Sequence, residues 1–192
     1  MNNAVFLDRD GTINEIIVVP DLGILESPLT PEQFKLLPHV PEAIGIFNRL
    51  GLKVITVSNQ PAVAKGKLTP SGLEAIRHKM AEDLRKENVY IDGDYYCYHT
   101  SLDNCNCRKP KSGLLLQAAK DFDLNLRESY LVGDSLVDIK AGTSVNCRRT
   151  FLIGSLKCDL CKLMEKDGFK PDFIVPNLLE AAKMIEKDME GT

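Results

Sequence analysis

The chain has 192 residues, 44% hydrophobic and 27% charged, with a formal net charge of −3, the balance of an ordinary globular protein built as one domain. At this length roughly 70% of the unfolded surface can be buried, so a full core forms without disulfide staples. A mildly acidic chain without a basic run is a poor match to nucleic acid, and no stretch approaches the ~20 apolar residues of a membrane span, so neither export nor a membrane partner is expected and the expected compartment is the cytoplasm.

In chain order, Ala4 to Leu7 reads as the first strand and runs into Asp8-Arg9-Asp10-Gly11-Thr12. Ile13 to Pro38 has no clear periodicity and carries Pro20, Pro28, Pro31 and Pro38, so it reads as one long loop placed to wall a site at the end of that strand. Pro41 to Leu50, closed by Gly51, reads as a helix. Lys53 to Ser58 is the second strand, ending in Ser58-Asn59-Gln60. A helix over Pro70 to Asn88 follows the cap candidate Thr69, and Asp94 to Cys97 is the third strand. Arg108-Lys109-Pro110-Lys111 leads into a helix over Gly113 to Phe122. Tyr130 to Val132 is the fourth strand and ends in Gly133-Asp134-Ser135, before a helix over Leu136 to Val145. Arg149 to Ile153, an edge strand over Phe173 to Val175, and a helix over Leu178 to Asp188 complete the set. This alternation predicts a Rossmann-like α/β fold: a mostly parallel sheet with helices on both faces and right-handed crossovers, the intervals being too short for a large cap domain. Ligands of such sheets sit at the carboxyl ends of the strands.

Those ends carry the chemistry. Two carboxylates two residues apart, Asp8 and Asp10, are costly after a buried strand unless a cation pairs with them, and a hard ion such as Mg²⁺ suits carboxylate oxygens. Ser58, Asn59 and Gln60 present a hydroxyl and amides where phosphate oxygens would need hydrogen bonds. Asp134 stands at a third strand end, while Asp138 near a helix start is already favoured by the helix dipole. Arg108 and Lys109 supply fixed cations at a helix entry. Together these are the parts of metal-assisted phosphoryl transfer.

Asp8-Arg9-Asp10-Gly11-Thr12, Ser58, Lys109 and Gly133-Asp134 with Asp138 resemble, in order, the four motifs of the haloacid dehalogenase superfamily, over most of the chain. The resemblance implies that Asp8 is the nucleophile and Asp10 the general acid and base. It makes Ser58 and Asn59 phosphate ligands, and Lys109 the charge that stabilises the phosphoryl group. Mg²⁺ would be held by Asp8, the backbone carbonyl of Asp10, and Asp134. Chemically the two carboxylates must differ: Asp8 stays ionised, whereas Asp10 holds a proton for a leaving alcohol and later takes one from water.

Cys97, His99, Cys105 and Cys107 place three thiolates and an imidazole within eleven residues, the donor set of a closed, structural Zn²⁺ site. The loop they would fix runs directly into Arg108 and Lys109. Zinc loops followed by Arg-Lys-Pro are similar to a subgroup that includes heptose bisphosphate phosphatases and histidinol phosphate phosphatases. Asn59 to Gly66 looks more like the heptose type, and the short interval from His99 to Cys105 more like the histidinol type. The expected substrate is therefore a small phosphorylated molecule, the 7-phosphate of D-glycero-D-manno-heptose 1,7-bisphosphate, with histidinol phosphate as the alternative and Arg108 gripping the part of the substrate away from the reaction. A monomer is expected. A phosphoaspartate receiver would need neither Asp10 as acid nor the zinc loop, and a zinc-stabilised nucleic-acid module would conflict with the net charge. Cys158 and Cys161 read as helix-facing thiols, His39 and His78 as surface or packing residues, and Cys147 as a small core residue.

Overall fold

The structure, a computed structural model, describes residues 1–19, 23–154 and 169–191. In chain order it runs β1 (Ala4–Leu7), β2 (Ile17–Val19), β3 (Ile24–Glu26), α1 (Val40–Arg49), β4 (Lys53–Asn59), α2 (Pro70–Lys86), β5 (Gly93–Cys97), α3 (Gly113–Phe122), β6 (Tyr130–Gly133), α4 (Leu136–Ser144), β7 (Arg149–Ile153), β8 (Phe173–Val175) and α5 (Leu178–Glu190). Six strands form one sheet in the order β5-β4-β1-β6-β7-β8, and every neighbouring pair is parallel. The chain steps outward from β1 to β5, then crosses back to β6 on the other side. That reversal places a crevice at the carboxyl ends of β1 and β6, where the two halves diverge.

Period-two side-chain alternation explains why both faces are covered. Val5 and Leu7 pack with Phe47, Ile76, Met80 and Ile185, so α1, α2 and α5 share one face. Ala4 and Phe6 pack with Ile55, Leu115, Ala118 and Ala141, which puts α3 and α4 on the other. Burying each large aliphatic or aromatic side chain contributes about 1.5–3 kcal/mol, before the entropy of ordering the chain is subtracted. Helix entries are set locally: Thr69 accepts the Gly72 N–H at 3.0 Å and Asn177 that of Glu180 at 3.0 Å.

The expected strands and helices lie within two residues of the observed ends, and among the described residues no large cap domain intervenes. The segment from Ile13 to Pro38 differs from the structureless loop expected. Ile17–Val19 and Ile24–Glu26 pair as an antiparallel hairpin, and Pro31–Gln33 forms a short 3-10 turn. Its base is clasped, because Glu15 N–H donates to Lys35 O at 2.9 Å and Leu37 N–H to Ile13 O at 2.9 Å. Three-residue strands are too short to establish a period, although the β-branched run Ile16 to Val19 and the turn glycine Gly23 were the available signal. Cys158 and Cys161 lie outside the described residues. Among the described residues no helix is long and apolar enough to cross a membrane.

Candidate active site

The Asp8 N–H donates to Val132 O at 3.0 Å, so the end of β1 is tied to β6 and Asp8 is brought beside Asp134 and Asp138. Carboxylate oxygens of these three residues all lie within 4.8 Å of one another. The ammonium of Lys109, only 3% exposed, meets Asp8 Oδ1 at 2.7 Å, Asp138 Oδ1 at 2.6 Å and the Val57 carbonyl at 2.6 Å. Of its three N–H donors, two are hydrogen-bonded to Asp8 and Val57, while Asp138 faces it as an ion pair. Burial alone would pull the Lys109 pKa down, but the charges of Asp138 and Asp8 outweigh it and hold the ammonium protonated.

One ammonium does not balance three carboxylates. Asp134 is pushed up to about 7, first by burial and then by repulsion from Asp8 and Asp138, and burial lifts Asp138 to about 6 against the pull of Lys109. An all-oxygen donor set short of positive charge fits Mg²⁺. Gly11 makes the approach of these groups feasible: a Cβ there would lie 2.1 Å from Asp134 Oδ2, and its φ is +84°. Asp138 also receives the Ser135 N–H at 3.1 Å, completing the capping box at the start of α4. Its helix-start position also brings it against the Lys109 ammonium.

Asp10 is placed differently. Its Oδ1 accepts from Arg9 Nη2 at 2.9 Å and Asn14 Nδ2 at 3.0 Å, and its Oδ2 from Ser27 Oγ at 2.7 Å and Gln60 Nε2 at 2.7 Å. Burial opposes ionisation, yet the Arg9 charge and these donors hold the carboxyl below its usual value. These contacts favour the carboxylate form of Asp10. Arg9 is fully buried, with its guanidinium 5.7 Å from the Tyr96 ring centroid, a separation suited to a cation–π contact.

Ser58 lines the same cleft of about 170 Å³, together with Asp8, Asp10, Asn59 and Lys109. Its hydroxyl oxygen accepts from Gln60 Nε2 at 3.1 Å, which leaves its O–H to donate. Asn59, expected on phosphate, makes both of its side-chain bonds to the main chain of Lys109. Arg108 donates to the His99 carbonyl at 3.0 Å and lines a neighbouring cleft of about 180 Å³ with Thr100, Ser101 and Lys111.

The zinc ligands converge. Sulfur separations are 3.7 Å for Cys97 and Cys105, 3.2 Å for Cys97 and Cys107, and 3.5 Å for Cys105 and Cys107. His99 Nδ1 is 3.6 Å from Cys97 Sγ and 3.3 Å from Cys107 Sγ. Tetrahedral Zn²⁺ with normal bond lengths sets such edges at about 3.6–3.8 Å, so the four groups fit the ion with little adjustment. Burial pushes the Cys97 thiol up to about 12 in its absence, the cost that a coordinated cation would remove.

Arg9, Asn14 and Ser27 were not anticipated as donors to Asp10, and Gln60, expected to face phosphate oxygens, instead donates to that carboxylate. Asn14 and Arg9 lie within six residues of Asp8, so a carboxylate needing donors was their one signal. Ser27 had none, because only the hairpin brings it to Asp10. His39 begins α1 with an exposed side chain against Glu42, and His78 is exposed against Glu74, as expected of surface residues.

Comparison with known proteins agrees with this geometry. A HAD-hydrolase-like family model matches residues 106–181. The D-glycero-beta-D-manno-heptose-1,7-bisphosphate 7-phosphatase of Haemophilus influenzae is 35% identical over 159 residues, covering 80% of this chain and 82% of that protein. The protein of the same name from Escherichia coli K12 is 33% identical over 194 residues, covering 97% of this chain and 95% of its own. Among solved structures, the D,D-heptose 1,7-bisphosphate phosphatase from B. bronchiseptica, complexed with magnesium and phosphate, superposes with a TM-score of 0.81 at 26% identity, covering 97% of this chain and 99% of that one.

Proposed function

The chain belongs to the haloacid dehalogenase-like phosphatases, and from that membership we propose that it hydrolyses the 7-phosphate of D-glycero-D-manno-heptose 1,7-bisphosphate through a phosphoaspartate on Asp8. The observation that carries the mechanism is the meeting of Asp8 with Lys109 at 2.7 Å, beside Asp134, in a cleft at the switch point of the sheet. Asp8 is the nucleophile: its carboxylate oxygen bonds to phosphorus while the bond from phosphorus to the sugar oxygen breaks. Lys109 and the Ser58 hydroxyl hold the phosphoryl oxygens as charge builds on them. Asp10 gives a proton to the departing alcohol, then takes one from the water that attacks the phosphoaspartate, releasing phosphate and restoring Asp8. The carboxylate form of Asp10 is the one that accepts the proton; its acid form requires a bound substrate to displace one of its donors, such as Ser27. Mg²⁺, held by Asp8, Asp134 and the carbonyl of Asp10, would supply Lewis-acid charge stabilisation. Zn²⁺ on Cys97, His99, Cys105 and Cys107 is structural.

The names of the relatives support the heptose reading, and Arg108 supplies a physical reason for it. The cleft beside the zinc loop offers a guanidinium next to Lys111 for the second phosphate of a bisphosphate, where histidinol phosphate would present an amine and an imidazole. The short His99 to Cys105 interval makes histidinol phosphate the competitor to include. We place the enzyme in the cytoplasm as a monomer, where a reducing environment keeps three thiolates available to zinc. The test is a phosphate-release screen with heptose 1,7-bisphosphate, histidinol phosphate and simple sugar phosphates. The heptose ester is expected to be turned over best, and Asp8→Asn to abolish turnover. Arg108→Ala should lower kcat/KM for the bisphosphate by roughly tenfold or more, about 1.5–3 kcal/mol for a lost charged hydrogen bond, and that of a monophosphate much less. Preference for histidinol phosphate would overturn the substrate, and turnover by Asp8→Asn the covalent step.

A further inference from the structure

Asn59 is the last residue of β4 and lies opposite Cys97 in the register with β5. Its Nδ2 donates to the Lys109 carbonyl at 3.1 Å, and its Oδ1 accepts the Lys109 N–H at 3.0 Å. A carboxamide presents one acceptor and one donor group much as a peptide does, so the two bonds imitate a rung of β-ladder across 50 residues of sequence. Among the described residues, these are the bonds that join the main chain of Lys109 to the sheet.

That attachment matters because Lys109 delivers its charge from the end of a long flexible stem. On the upstream side its backbone is fixed through the cysteine loop, where the Arg108 N–H donates to Cys105 Sγ at 3.4 Å. On the downstream side Pro110 has no N–H to offer. Without Asn59 the peptide of Lys109 would be anchored by the loop alone, and the ammonium, now 2.7 Å from Asp8 Oδ1, would lose its fixed origin.

We infer that Asn59 is a positioning residue, which speeds turnover by holding the Lys109 peptide to β4 and not by touching phosphate. The inference rests on the phosphatase reading, in which Lys109 neutralises the transferred group. The Asn59 Oδ1 and one of its two Nδ2 N–H groups are committed to the Lys109 main chain, and a shift of about 1 Å in a catalytic group can cost on the order of a hundredfold in rate.

The test is a double-mutant cycle in the full-length, metal-loaded protein with Asn59→Ala, Lys109→Met and the pair. All four proteins are assayed for phosphate release from heptose 1,7-bisphosphate and for binding of orthovanadate, a phosphate mimic, by calorimetry. Asn59→Ala alone should lower kcat by roughly tenfold or more and change KM by less than about threefold. In the Lys109→Met background it should change neither turnover nor vanadate affinity by more than about twofold, since groups that act as one unit are not additive. Losses that multiply in both readouts would overturn the inference, because a direct phosphate ligand or a general support of the fold would act with or without the ammonium. Melting temperature and zinc content are measured on each variant. Should Asn59→Ala fail to fold, Asn59→Asp, which keeps the shape and the acceptor for the Lys109 N–H, takes its place in the cycle under the same criterion. A wild-type protein that neither releases phosphate nor binds vanadate would refute the phosphatase reading and the inference with it, whereas multiplied losses in an active enzyme overturn the inference alone.

Discussion

At Gly11 the backbone takes a φ of +84°, and a Cβ would stand 2.1 Å from Asp134 Oδ2. Two separate demands thus fall on one residue, a left-handed conformation and the close approach of a metal-site carboxylate. Gly51 shares only the first: its φ is +71° and nothing lies within 4 Å of its Cβ position. Alanine at either site incurs about 1–2 kcal/mol of backbone strain, but only at Gly11 must a carboxylate also move. Gly11→Ala should therefore weaken Mg²⁺ binding by calorimetry and lower turnover by roughly tenfold or more. Gly51→Ala should lower the melting temperature alone, and equal effects of the two on turnover would mean that strain, not crowding, is what matters. The same contrast explains what the sequence disclosed at this scale. Asp8 and Asp134 were legible because strand ends at a switch point expose whatever side chain follows them, and Lys109 because it stands with Arg108 just before a helix entry. Ser27 was not, and Gln60 was read as facing phosphate and not Asp10, because the donors of Asp10 come from distant segments whose proximity only folding decides. Asn59 was expected to bind phosphate, whereas its bonds in the structure are to the Lys109 backbone, a contact that no local pattern reveals.

Between β5 and α3 lies the loop with the four proposed zinc ligands. Cys107 is followed at once by Arg108 and Lys109, and Cys105 accepts the Arg108 N–H, so under the proposed function loosening the metal site should loosen the phosphate site. Purified protein should carry about one Zn²⁺ per chain by elemental analysis. Cys105→Ser should lose most of it and retain only part of the turnover, an indirect effect of the kind that supporting shells produce. Zinc-free protein with undiminished turnover would show that the loop holds itself. The donors of this loop were legible because four ligands within eleven residues are a local pattern. The hairpin was not, since β2 and β3 are three residues each and their base is clasped by bonds of Glu15 to Lys35 and of Leu37 to Ile13. It nonetheless does what a long excursion beside a strand end was expected to do, because Ser27 at its foot reaches Asp10 at 2.7 Å.

Across the described residues, the six-stranded parallel sheet and its helices place one acidic cluster at the strand ends, and the charge of that cluster is only partly neutralised. Asp134 and Asp138 titrate near about 7 and about 6 when folded, against roughly 3.9 for an aspartate in an unfolded chain. Between pH 4 and pH 7 the folded, metal-free protein therefore keeps protons that the unfolded chain has released. The sign follows: the stability contributed by these groups is complete below about pH 4 and is lost as pH rises through their folded values. Asp10 works the other way, since its lowered value gives stability that is present above the usual carboxylate range and is lost on acidification. Divalent cation should replace the missing protons in the cluster. At pH 5 Mg²⁺ must displace them, while at pH 8 the carboxylates are already free to bind it. A fixed concentration of Mg²⁺ should consequently raise the melting temperature more at pH 8 than at pH 5, with the increment growing through about pH 7 and levelling beyond. Asp134→Asn should flatten that dependence. The measurement is a thermal-melt series with and without Mg²⁺ at several pH values, and an increment that does not change with pH would mean that the ion binds elsewhere than at Asp8 and Asp134.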